Sequence, residues 1–232
     1  MRSLALQLGL VCGIPFATAT FLKLDLKRVF RLQAITGRNL IACALLGVCC
    51  IPLLDEVAFW QAVLTGVSAQ PRVEIQALLQ GESFSKITWI MLSSAVIPAF
   101  CEELFFRGFL LDRFLASGQT GQSLTMTALL FGLFHFDLSV LLTTSLAGLL
   151  LAFVVWRTES IFGGVIIHFV VNAWAICAFN VPAITHLSWI VGERQVPTAL
   201  LAFALAGTVW LGRSLMPASQ TTSPGCKSVN YE

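Results

Sequence analysis

Long apolar runs separated by short polar segments dominate this 232-residue sequence. An α-helix needs about 20 consecutive apolar residues to cross the hydrocarbon of a bilayer, and most of the runs approach that length. The pattern predicts an all-α fold, a polytopic transmembrane helical bundle with about seven spans (six to eight). The predicted spans cover residues 4–22, 40–60, 88–111, 124–136, 138–156, 160–180 and 198–212, and 124–136 is the shortest.

The composition agrees with a membrane protein. Hydrophobic residues make up 57% of the chain and charged residues only 11%, whereas soluble domains carry about a quarter charged residues. We expect one integral membrane domain at 1–216 with a motif core at 88–180, followed by a disordered polar tail at 217–232. The net charge of +2 is small and the basic residues are scattered among short loops, so the expected surroundings are the lipid bilayer and no nucleic acid.

The position of positive charge predicts the orientation. The segment that follows the first apolar run carries five basic residues, Lys23, Lys27, Arg28, Arg31 and Arg38. The positive-inside rule places this segment in the cytoplasm and the N-terminus outside, and we expect a bacterial inner (plasma) membrane. The more polar segment 61–85 is predicted to be an external amphipathic loop or an interfacial helix.

Polar residues within the apolar runs are the candidate functional residues, because ionisable groups are costly in lipid and usually face the interior of a bundle. With a rise of about 1.5 Å per residue, Glu102, His135 and His168 lie roughly 14, 17 and 12 Å from the cytoplasmic ends of their spans. Three helices therefore bring polar groups to one level, toward the cytoplasmic half of the bilayer. The candidates are Glu102, Glu103, Arg107, His135, His168 and Asn172.

Spacing predicts how these residues interact. Glu103 precedes Arg107 by four residues, the favourable order for an ion pair within a helix. Glu102 is rotated by about 100° from Glu103 and therefore points to a different neighbour, for which the pattern offers His135. A carboxylate and an imidazole that share one water form a general base.

A second pair, His168 and Asn172, has the same four-residue spacing and lies on one helix face. Both side chains can donate a hydrogen bond to one point. Such donors suit an oxyanion hole, although Asn172 alone would equally suit contact between helices. Pro98, four residues before Glu102, is predicted to kink its span and to free a backbone carbonyl.

Three motifs on separate apolar runs together resemble one known family. They are EExxxR at 102–107, FxxxH at 131–135 and HxxxN at 168–172. This combination resembles the CAAX protease and bacteriocin-processing family of intramembrane proteases, over residues of about 98 to 175. The resemblance implies a glutamic-type endopeptidase whose substrate is a membrane-anchored or prenylated protein or peptide, such as a CAAX protein or a C-terminal sorting signal.

The resemblance also implies a role for each candidate. Glu102 and His135 would activate water, and His168 and Asn172 would stabilise the oxyanion, while Glu103 and Arg107 support the site. No cofactor is expected. A zinc site of Glu102, His135 and His168 is a less favoured alternative, because HExxH is absent and the ligands would come from three helices.

Other readings of the same residues remain open at this point. A non-catalytic immunity or scaffold protein of the family would bind a membrane partner without cleaving it. A transporter could use a Glu and His pair to carry protons, but the paired broken helices of transporter repeats are absent from the pattern. The acidic pair could also mark a helix end in the headgroup region.

Overall fold

The computed structural model describes residues 7–67, 73–185 and 194–217, and within these ranges the chain forms helices and no strands. The predicted all-α bundle is confirmed. Short helices at Leu26–Val29, Val73–Leu79 and Pro182–Thr185 lie in the connections. The longer helices are α1 (Leu8–Phe21), α2 (Gly37–Thr65), α3 (Phe84–Leu115), α4 (Thr120–Leu133), α5 (Leu141–Thr158), α6 (Ile161–Asn180) and α7 (Thr198–Ser214).

Each predicted span coincides with one of these helices, but the helices differ in length. In the part of the chain that the structure describes, α2, α3, α5 and α6 are long and apolar enough to cross a membrane. α1 and α7 are apolar but shorter, and α4 has 14 residues, which span only about 21 Å. The chain is an integral membrane protein, and the number of seven crossings stays a prediction.

Small residues bring the helices around the core close together. On α2, a Cβ at Gly47 would lie 2.9 Å from the Cβ of Val170 on α6. On α5, a Cβ at Gly148 would lie 3.2 Å from Ala128 Cα on α4. The main apolar core lies between α2, α5, α6 and α7 and contains Ala42, Cys43, Leu46, Cys50, Leu151, Val154, Ile167, Leu211 and Leu215.

Helix α3 is irregular where it carries the motif residues. Its α-helical segment Ile97–Glu103 lies between two π-helical segments, Leu92–Val96 and Leu104–Leu110. Such π-turns are frequent at functional sites, because one extra residue per turn changes the direction of the side chains that follow. Pro98 lies in the first turn of the α-helical segment and cannot donate a backbone hydrogen bond to Ser94.

Two sequence-based boundaries were wrong. The span predicted at 124–136 ends as a helix at Leu133, so His135 lies in the turn before α5. The helix ends here because the backbone turns: the His135 N–H donates to the carbonyl of Gly132, three residues back, and Phe136 has a positive φ of 51°. The segment 61–85, predicted to be an external amphipathic loop or an interfacial helix, begins with the last turn of α2. The predicted disordered tail lies outside the described residues from residue 218 onward.

Candidate active site

A buried ion pair forms one side of the candidate site. Arg107 Nη1 donates to Glu103 Oε1 at 2.7 Å, and both side chains are 0% exposed. Arg107 Nη2 donates to the carbonyl of Gly148 on α5 at 3.1 Å. The structure therefore contains the ion pair that the spacing predicts, and the guanidinium also joins α3 to α5.

His168 on α6 connects the two neighbouring carboxylates of α3. Its Nδ1 lies 3.1 Å from Glu103 Oε1, and its Nε2 lies 3.9 Å from Glu102 Oε2. Since an ionised carboxylate only accepts hydrogen bonds, Nδ1 is the donor to Glu103. The distance to Glu102 exceeds that of a direct hydrogen bond, and an oxygen atom between them could contact both.

Gly164 allows this close approach of α6 to α3. It precedes His168 by one helical turn and so lies on the same face of α6. A Cβ at this position would lie 2.5 Å from Glu103 Oε2 and 2.9 Å from Val155 Cγ2. Only glycine leaves room for the Glu103 carboxylate in its present position.

His135 is held by the end of α4. Its Nδ1 lies 2.9 Å from the carbonyl oxygen of Phe131, which the backbone N–H of residue 135 would contact in a continuing α-helix. A carbonyl oxygen accepts, so Nδ1 carries the hydrogen. In the neutral ring the other nitrogen, Nε2, is then the proton acceptor, as a base requires.

The ring of Phe131 contacts three of the candidate residues. Its centroid lies 4.2 Å from the Arg107 Cζ, 4.9 Å from the ring centroid of His135 and 5.7 Å from that of His168. The guanidinium sits over the ring face in a cation–π arrangement. The sequence analysis did not assign this aromatic residue to the site, and its position four residues before His135 was the available signal.

Asn172 lies one turn beyond His168 on α6. Its Nδ2 donates to the carbonyl of Ser94 on α3 at 3.4 Å. In a regular α-helix this carbonyl would accept from residue 98, which is proline and has no N–H. The backbone carbonyl that Pro98 frees is therefore contacted by a candidate side chain, and one further amide hydrogen of Asn172 can serve another acceptor.

A cavity of about 330 Å³ adjoins these residues. His135, His168 and Asn172 contribute to its wall together with Phe131. Most of the remaining wall is apolar and comes from α2, α5 and α6, including Leu54, Ala147, Leu151, Val171 and Phe179. The cavity can hold an apolar group next to the imidazoles.

The zinc alternative requires three protein ligands close together. Among residues 7–67, 73–185 and 194–217, no group of three or more His, Cys, Asp or Glu side chains is placed to hold a metal ion.

Two positions near the site were not found from the sequence. Gly164 could have been noticed because it precedes a motif histidine by four residues. Gln61 was assigned to an external loop or interfacial helix, although a glutamine at the end of an apolar run can be a buried polar group. It lies in α2 and is only 4% exposed.

The fold and site define a class of protein, a helical integral membrane protein with a buried cluster of two carboxylates, one imidazole and a guanidinium beside an apolar cavity. Residues 83–174 match the family model of the type II CAAX prenyl endopeptidase Rce1-like proteins. This match covers all six candidates and supports the resemblance to the CAAX protease and bacteriocin-processing family, a family of proteases. Comparisons with curated proteins and with solved structures gave no match.

Proposed function

We propose that the chain is a glutamic-type intramembrane endopeptidase, which hydrolyses a peptide bond near the membrane in a prenylated or otherwise membrane-anchored protein or peptide. CAAX-type proteins and C-terminal sorting signals are the substrate classes. The observation that carries the proposal is the chain of contacts from Arg107 through Glu103 to His168, which ends 3.9 Å from Glu102. A protease needs such fixed charges beside a space for its substrate.

In the proposed reaction Glu102 and His135 activate water. One of them takes a proton from the water, and the resulting hydroxide attacks the carbonyl carbon of the peptide bond. The C–N bond then breaks, and the same proton passes to the leaving amine. His135 suits this role because its Nδ1 hydrogen is committed to the Phe131 carbonyl, which leaves Nε2 as the acceptor.

His168 and Asn172 are proposed to stabilise the oxyanion of the tetrahedral intermediate. His168 Nδ1 donates to Glu103, so a donor to the oxyanion at Nε2 requires the imidazolium form of the ring. Asn172 lies on the wall of the same cavity and supplies an amide donor.

The proposed location is a bacterial inner membrane, with the N-terminus outside and the active site in the cytoplasmic half. The basic cluster between α1 and α2 supports this orientation through the positive-inside rule. It includes Lys23, Lys27, Arg28, Arg31 and Arg38.

The test compares wild type with Glu102→Gln in lipid vesicles, using quenched peptides that include a prenylated CAAX sequence and membrane-spanning sorting segments. Loss of the general base should lower kcat by roughly 10²–10⁴-fold. The matched control is Glu82→Gln, since Glu82 is exposed before the start of α3. Wild-type turnover by Glu102→Gln would disprove the mechanism, and a fold check by circular dichroism accompanies each variant.

Metal dependence is tested on the same preparation. The proposed water activation uses only protein groups, so dialysis against phenanthroline should leave the cleavage rate unchanged. Loss of activity that added Zn²⁺ restores would favour the zinc alternative. Absence of cleavage of every peptide by wild type would favour a non-catalytic protein that binds a membrane partner.

A further inference from the structure

The buried side chain of Gln61 joins α2 to the start of α5. Its Nε2 donates to the carbonyl of Leu138 at 2.7 Å. Its Oε1 accepts from the backbone N–H of Leu142 at 2.9 Å and from that of Thr143 at 3.2 Å. One carboxamide thus holds both ends of the segment 138–143, which is distant from it in sequence.

These contacts supply a helix cap that α5 lacks locally. The first N–H groups of any helix have no partner within the helix, and an unmade hydrogen bond is costly in hydrocarbon, where no water can replace it. The N-cap residue of α5 is Val140, whose side chain makes no capping hydrogen bond. Gln61 provides the acceptor instead, so the start of α5 is fixed by a side chain of α2.

The turn that carries His135 lies between the end of α4 and this capped helix start. Only two residues separate His135 from Leu138, whose carbonyl Gln61 holds. On the side of α4, the imidazole contacts the Phe131 carbonyl. The turn is thus held at both ends, once by α4 and once by Gln61, and residues from both sides of it line the cavity.

We propose that Gln61 is a positioning residue for His135, which keeps the imidazole against the cavity by fixing the far end of its turn. The catalytic meaning of this role rests on the proposed function, whereas the position of the ring can be measured without any substrate. A displacement of about 1 Å at a reacting group can lower a rate by roughly 10²-fold. We therefore expect Gln61→Met to lower kcat by about this factor.

A matched control exists at the other end of α2. Asn39 is also a buried carboxamide, 2% exposed, and it also holds a distant backbone through both of its polar atoms. Its Nδ2 donates to the Met216 carbonyl at 2.8 Å, and its Oδ1 accepts from the Met216 N–H at 3.3 Å. Asn39→Leu should therefore destabilise the fold to a similar degree but leave His135 in place.

The measurement is nitrogen and proton NMR of protein labelled with ¹⁵N-histidine in lipid nanodiscs. The sequence has only three histidines, so His135→Gln and His168→Gln variants assign the signals. Gln61→Met should shift or broaden the Nδ1–H signal of His135 and leave that of His168 unchanged. Asn39→Leu should change neither signal.

Gln61→Glu keeps the size of the side chain and the acceptor for α5, but an ionised carboxylate loses the donor to Leu138. It should shift the His135 signal less than Gln61→Met does, and it replaces that variant if Gln61→Met fails to fold. An unchanged His135 signal in the folded Gln61 variants would overturn the proposal, as would an equal shift in Asn39→Leu. If wild type cleaves no peptide, the proposed function fails, but the NMR comparison still decides the role of Gln61.

Discussion

Two regions of the molecule meet at His168 and differ in packing. On one side, Glu103 and Arg107 are fully buried. Here α6 lies so close to the Glu103 side chain that Gly164 has no space for a Cβ. On the other side lies a cavity of about 330 Å³ with mostly apolar walls. The packed region fixes charges, and the cavity leaves space for an apolar group.

This difference explains how a polar site can exist inside a membrane bundle. A charge in a low-dielectric interior is stable when it is paired and hydrogen-bonded, and Arg107 has both an ionic partner and a backbone carbonyl. His168 then connects the regions, because Nδ1 contacts the packed cluster and the ring lines the cavity. Changes on the packed side should therefore reduce stability, and changes on the cavity side should mainly affect the choice of substrate.

The largest effect is expected from removing the buried cation. Arg107→Met leaves the Glu103 carboxylate buried without its ionic partner, which costs about 3–5 kcal/mol in the free energy of unfolding. The measurement is the thermal unfolding midpoint of the purified protein in detergent. Cleavage of peptides should also be lost, since His168 would lose its orientation.

Arg113 provides the control, because it belongs to the same helix but its side chain is 47% exposed and pairs with its neighbour Asp112. Exposed ion pairs contribute little to stability. Arg113→Met should therefore unfold at nearly the wild-type temperature. Equal destabilisation by the two variants would mean that the packed region does not depend on its buried charge.

A smaller effect is expected from filling the space next to Glu103. Gly164→Ala forces the carboxylate to move, because the new Cβ would lie 2.5 Å from its Oε2. Overpacking of this kind costs about 1–3 kcal/mol, and displacement of the carboxylate would weaken its contact with His168. We expect a lower unfolding temperature and a lower kcat.

Gly163, next to Gly164 in sequence, provides the control for Gly164→Ala. A Cβ at Gly163 would lie 3.1 Å from Val154 Cγ1 and 3.3 Å from Cys43 Sγ, so it would contact side chains of the core and none of the candidate residues. Gly163→Ala should retain wild-type kcat. If Gly164→Ala retains it as well, the close approach of α6 does not position the site.

The sequence predicts much of the packed region, because its residues follow helical spacing. The four-residue intervals from Glu103 to Arg107 and from His168 to Asn172 each describe one helix face, and such relations are local. The contact between His168 and Glu103 is not local, since 65 positions separate them. The common depth of Glu102, His135 and His168 indicated that polar groups of three helices meet, but it could not indicate which carboxylate contacts which nitrogen.

The cavity side was predicted less well, because its geometry depends on the backbone of a turn and on distant contacts. The apolar run up to residue 136 suggested a continuous helix, but Phe136 adopts a positive φ and the helix ends at Leu133. Gln61 reaches this turn from another helix, across 77 positions of sequence. Hydrophobic periodicity describes which residues are buried but contains no information on such pairings.

The smallest effect is expected from narrowing the cavity. Ala147 on α5 lines it, so Ala147→Leu would occupy part of the space for an apolar substrate group. A misfit of one methylene in an apolar pocket corresponds to about 1–3 kcal/mol, so KM for a bulky peptide should rise by roughly tenfold or more. The measurement is kcat and KM for two peptides that differ only in the size of one apolar group.

Stability should separate this variant from those of the packed region. Filling an existing cavity adds apolar contacts without displacing a polar group, so Ala147→Leu should unfold at or slightly above the wild-type temperature. Ala206→Leu on an exposed face of α7 is the control and should change neither KM nor stability. If Ala147→Leu raises KM equally for the bulky and the small peptide, the cavity does not bind the apolar group of the peptide. The difference in packing between the two regions would then have no role in substrate choice.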